Sequence, residues 1–112
     1  MTVLPGDRPE LGRFGEQVAA DFLVRRGGNI VGRNVASRDG EIDLVVGFDR
    51  ELAVVEVRTA RRADVTADLF PHRKEQQVRR LAALLDPPVF RVDFVTVLVQ
   101  PDGVTVRWLP RV

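Results

Sequence analysis

Apolar residues recur at spacings of three and four over residues 10–26, where Leu11, Phe14, Val18 and Phe22 form a stripe that Ala19 and Leu23 widen. That is the period of an amphipathic helix, and Gly27 with Gly28 ends it. A short strand is expected over 29–34. Two runs rich in apolar and β-branched residues, 41–47 and 52–59, follow on either side of Phe48, Asp49, Arg50 and Glu51, which reads as a hairpin. Residues 60–70 form a polar connection. Pro71 suits the first turn of a second helix, whose Val78, Leu81, Ala82 and Leu85 share a face, and Asp86, Pro87 and Pro88 stop it. Strands over 89–99 and 104–109 flank a Pro101, Asp102, Gly103 turn. Residues 1–9 read as a flexible lead-in and 10–112 as a single domain. The order α-β-β-β-α-β-β predicts an α/β or α+β sandwich with helices against a mixed sheet.

The hairpin fixes more than topology. A two-residue turn at Asp49 and Arg50 and a four-residue loop over 48–51 give the same register, with Asp43 across from Glu56 and Glu41 across from Arg58. Alternation puts all four on one face. Directly opposed residues lie about 5 Å apart at Cβ, where like charges repel. Arg58 together with solvent can neutralise the cluster. Alternatively, since Ala53, Val54, Val55 and Val57 look like a central strand, where a carboxylate is rarely buried unless paired or metal-bound, a hard cation such as Mg²⁺ resolves the repulsion. Glu16 flanks the first helix's stripe and either overlooks the sheet or faces solvent. Gly12 and Gly15 each cost that helix ~1 kcal/mol relative to Ala, which makes sense if the backbone there approaches something closely.

Composition narrows the chemistry. With no cysteine and only His72, any metal must be held mainly by oxygen. Seventeen basic against sixteen acidic side chains give a net charge of +1, so attraction of nucleic acid has to be local. No run approaches a membrane span and the start lacks a leader pattern, so a cytoplasmic protein with no membrane partner is expected. Lys74 is the only lysine; it continues the inward stripe of the second helix and either reaches the acids or snorkels outward.

The spaced residues Gly12, Arg13, Phe14, Gly15, Glu16, Ala19 and Leu23, then Asn34, then Gly40 to Leu44, then Val55, Glu56, Val57 and Arg58 together resemble the YraN-like family of uncharacterised bacterial proteins. That family is similar to archaeal Holliday-junction resolvases, within the restriction-endonuclease-like, PD-(D/E)XK nuclease superfamily. The resemblance implies a mixed central sheet flanked by helices. It also implies metal-dependent phosphodiester hydrolysis on DNA, structure-selective and directed at branched or damaged forms, with a homodimer by analogy. Glu16, Asp43 and Glu56 would bind Mg²⁺ or Mn²⁺. Arg58 stands where the motif has lysine; it keeps the charge but cannot act as a base, which leaves Lys74, with Gln77 one turn on, as the substitute. A nucleic-acid-binding module of the same fold that has lost cleavage is the alternative. Arg61, Arg62, Arg73 and Lys74, with Arg79 and Arg80 further on, place a basic rim beside the acids, as phosphate binding requires. The aromatics fall mostly in apolar runs and read as core.

Overall fold

A computed structural model of the chain describes residues 8–61 and 71–112. Helix α1 spans Arg8–Arg25, so it takes in Arg8 and Pro9, which the sequence reading left in the lead-in. A proline in the first turn lacks only an N–H that has no partner there. At its other end Gly28 N–H donates to the Leu23 carbonyl at 2.8 Å and Gly27 N–H to that of Val24 at 3.0 Å, the paired bonds of a Schellman motif. Gly27 takes the positive φ of 95° that the motif needs. The chain then continues as β1 (Asn29–Ser37), β2 (Gly40–Phe48), β3 (Glu51–Arg61), α2 (His72–Ala83), β4 (Arg91–Gln100) and β5 (Gly103–Leu109).

The five strands form one sheet in the order β1-β2-β3-β4-β5. Only the β3–β4 pair is parallel, and its crossover carries α2. The α/β architecture, a mixed sheet between two helices, is the one expected. On the α1 face, Leu11, Ala19, Ala20 and Leu23 pack on Leu44, Val46, Val55, Val57 and Val95. On the other, Val78, Leu81 and Ala82 of α2 pack on Ile42, Val45, Val54 and Val92. Val54 and Val55 are therefore both fully buried, each stabilised by ~1.5–3 kcal/mol from burial.

The buried line of α1 is rotated from the predicted stripe. Leu11, Gly15, Ala19 and Leu23 point inward, while Phe14, Val18 and Phe22 are half-buried at its margin. The reason lies in Gly15, where a Cβ would fall inside the Thr59 side chain: the helix backbone rests directly on β3. Gly12 meets nothing within 4 Å, so close approach explains Gly15 but not Gly12. Most aromatics are core as expected, with Trp108 stacked on Phe48 at 5.6 Å and edge-on to Phe22 at 6.4 Å. Phe90 departs from this, at 77% exposed.

Candidate metal centre

The hairpin closes through the two-residue turn, with Phe48↔Glu51 and Leu44↔Val55 in register and Asp49 at φ 54°. The ladder ends at Leu44↔Val55. Beyond it β2 follows β1 as far as Ser37↔Gly40, while β3 follows β4 to Arg61↔Val99. At the parting point Asp43 Oδ2 accepts the Val57 N–H at 2.8 Å, taking the role a β2 carbonyl would have in a continued ladder. Alternation breaks in the same place, since Ile42 packs on the α2 face and Leu44 on the α1 face. Asp43 thus stands at the opening and feels groups from both helices, the charge of Glu16 on α1 and that of Lys74 on α2.

Asp43 and Glu56 meet there although the ladder stops one pair short of them, close enough to hydrogen-bond to each other. Glu56 is only 5% exposed, and Lys74 Nζ lies 3.3 Å from its Oε1. Burial, and then the charge of Glu56, push the Asp43 carboxyl up to about 7 against the opposing pull of the Val57 N–H and Lys74. Burial raises Glu56 too, partly offset by Lys74 and Arg58. Neither carboxylate is comfortable as an anion, so the pair retains a proton well above the usual range.

The placement of the remaining residues separates two expectations. Glu16 overlooks the sheet: one oxygen each from Glu16, Glu41 and Asp43 lies within 4.8 Å of the others, and burial raises Glu16. Glu41 does not lie across from Arg58, because β2 and β3 have separated by then; it accepts instead from Asn34 at 3.1 Å. The sequence reading missed this role for Glu41. Arg58 Nε is buried without a hydrogen-bond partner. Gln77 accepts from Lys74 at 3.5 Å and donates to the Asp39 carbonyl at 3.4 Å, bracing the lysine. Arg73 is exposed in the first turn of α2 and Arg61 half-buried at the end of β3, while Arg62 lies outside the described residues. Arg79 is turned from the rim, bonding Glu75 and the Val112 carbonyl.

A second buried carboxylate shows what a structural acid looks like here. Asp93, 0% exposed, accepts from Arg91 Nε and Nη2 at 3.0 Å each, from Trp108 Nε1 at 2.9 Å and from the Arg111 backbone N–H at 3.1 Å. Its lone pairs are filled by the protein. Its signal, an acid inside the apolar run Val92 to Val95, was the same one that marked Glu56. Asp43 and Glu56 differ in that two acids face each other, with Lys74 ion-paired to Glu56 and Arg58 adding its charge. Their donor set is all oxygen, with Glu56 buried and Asp43 half-buried, and its charges are under-compensated. A hard divalent cation fits it.

The family model described as "Uncharacterised protein family UPF0102" matches residues 15–97. The chain is 40% identical to UPF0102 protein STH1475 of Symbiobacterium thermophilum, over 83% of this chain and 86% of that one. It is 40% identical to a UPF0102 protein of Nocardia farcinica, over 86% and 82% respectively. Among solved structures, the crystal structure of SSO0001 superposes with a TM-score of 0.45 at 14% identity, over 92% of this chain and 52% of that one.

Proposed function

We propose that this chain, which belongs to the UPF0102 family, is a divalent-metal-dependent phosphodiesterase acting on nucleic acid, with branched or damaged DNA as the substrate class. One observation carries the reading: the only lysine in the chain stands 3.3 Å from Glu56, beside Asp43. Arginine occupies the motif's lysine position on β3, and α2 delivers an ammonium to the same acid pair.

Asp43 and Glu56 with Glu16 would hold Mg²⁺ or Mn²⁺, and the bound ion supplies an activated water and charge stabilisation at the phosphate. Lys74, braced by Gln77, favours the ionised form of Glu56 against its burial and presents N–H donors for orienting a water next to it. Arg58 is a fixed cation suited to gripping a phosphate oxygen. Arg73 and Arg61 extend the positive rim that draws a polyanion toward an acidic pocket.

The second reading, a binding module without cleavage, is favoured by Arg58 itself. Incubation with four-way junction, flap and linear DNA in Mn²⁺ separates the two. Cleavage by wild type, lost in Glu56→Ala and reduced at least ~100-fold in Lys74→Ala, supports the enzyme. DNA binding without cleavage, with activity appearing only in Arg58→Lys, supports the module.

A further inference from the structure

Asn34 has a φ of 48°, in the left-handed region that asparagine tolerates better than other side chains with a Cβ. It sits on β1 between the Arg33↔Leu44 and Val35↔Ile42 pairs, beside Asp43 on β2. Its Nδ2 donates to Glu16 Oε1 at 2.8 Å and to Glu41 Oε1 at 3.1 Å. The neighbouring Arg33 ties β1 to α1 as well, through Gln17 at 3.0 Å, but that bond does not reach the acids.

Glu16 comes from a helix and Glu41 from a strand, and each carries a charge that repels the other. A carboxamide has two N–H donors, one for each carboxylate, while an ionised carboxylate offers about four acceptor sites. Each acid therefore satisfies the amide and keeps lone pairs for a cation. The left-handed turn at Asn34 aims the amide between them.

We propose that Asn34 is a positioning residue of the metal centre, holding Glu16 and Glu41 side by side and turned toward Asp43 before the ion arrives. The proposal rests on the metal-dependent reading above and brings Glu41 into the group that senses the ion. Partners of this kind, bonded to ligating carboxylates, change metal affinity by about 10–100-fold when removed.

The test is calorimetric titration with Mn²⁺ of wild type, Asn34→Gly, Glu41→Gln and the double variant. Glycine adopts the same φ without strain, so a purely conformational role predicts no loss in Asn34→Gly. The proposal predicts weakening of about 10-fold or more. It also predicts that in the Glu41→Gln background, where the new amide can donate to Glu16, the same change costs less than about threefold. A second readout needs no variant: the Asn34 side-chain NH₂ signals of ¹⁵N-labelled wild type shift on Mg²⁺ addition. Unchanged Mn²⁺ affinity in Asn34→Gly, equal losses in both backgrounds, or NH₂ signals unmoved at saturation overturn this proposal alone. No Mn²⁺ binding by wild type overturns the metal reading and this proposal with it.

Discussion

Replacing Asp43 by asparagine should stabilise the metal-free protein at alkaline pH. Asparagine is nearly isosteric; its oxygen can still accept the Val57 N–H, which now lies 2.8 Å from Asp43 Oδ2, and its NH₂ can donate to Glu56 as a protonated aspartic acid does. Burial and the charge of Glu56 raise Asp43 from 3.8 to about 7. An acid raised on folding holds a proton that the unfolded chain has released, so stability is highest below the unfolded value and falls as pH rises toward the folded one. At ~1.4 kcal/mol per unit the full shift corresponds to ~4 kcal/mol. Glu56 can relax toward Lys74 once Asp43 ionises, so about half of this, ~2 kcal/mol, is the expected difference, or ~8 °C in Tm for a domain of this size. The assay is thermal denaturation of wild type and Asp43→Asn from pH 3.5 to 8.5 with a chelator present. The curves should converge near pH 3.8, the unfolded value, with wild type falling progressively below the variant up to about pH 7 and levelling off above it. Parallel pH profiles, or a wild type that is the more stable protein at pH 8.5, would refute the reasoning.

Other outcomes follow from the packing. Gly12→Ala, with nothing within 4 Å of the new methyl, should stabilise the helix by ~1 kcal/mol, whereas Gly15→Ala, whose Cβ would strike Thr59, should destabilise by ~1–3 kcal/mol; urea denaturation of the two variants gives opposite signs. Asp93→Ala removes the acceptor from Arg91, whose side chain is 10% exposed, and should cost ~3–5 kcal/mol. In the folded fraction Asp93→Ala should leave Mn²⁺ affinity unchanged, because Asp93 is satisfied within its own network. Saturating Mn²⁺ at about 100 times its dissociation constant should raise wild-type stability at pH 8 by ~2.7 kcal/mol and Asp43→Asn by much less, as read from the melting shift.

What the chain reveals before folding depends on how local the cause is. That Asp43 and Glu56 approach each other was legible from alternation and a turn of even length, but the ladder stops at Leu44↔Val55 and alternation breaks at Asp43, so the geometry that joins them is a different one. Lys74 was legible only as one of two placements, since its spacing to Val78 and Leu81 allows it to reach the acids or to snorkel outward; the ion pair with Glu56 decides between them. The separation of β2 from β3 was not legible, since it arises when a side chain, Asp43, takes over the hydrogen bond of a ladder carbonyl; with it went the predicted Glu41–Arg58 pairing. Likewise, Gly12 and Gly15 look alike in sequence, and only the contact of α1 with Thr59 on β3 distinguishes them. Gly15 of α1, which lets the helix backbone rest on Thr59, also turned its buried line away from Phe14, Val18 and Phe22 toward Ala19 and Leu23. Asn34 escaped notice as a site residue because its amide acts through a left-handed turn that no periodicity encodes.

The central claim is that Asp43 and Glu56 share a divalent cation, and calorimetric titration with Mn²⁺ at pH 8 tests it most directly. Wild type should bind, while Asp43→Asn and Glu56→Gln, each folded as judged by circular dichroism, should each lose at least about tenfold in affinity, the order expected when a charged metal ligand is neutralised. Equal affinity in all three proteins, or no binding by wild type, would contradict the account.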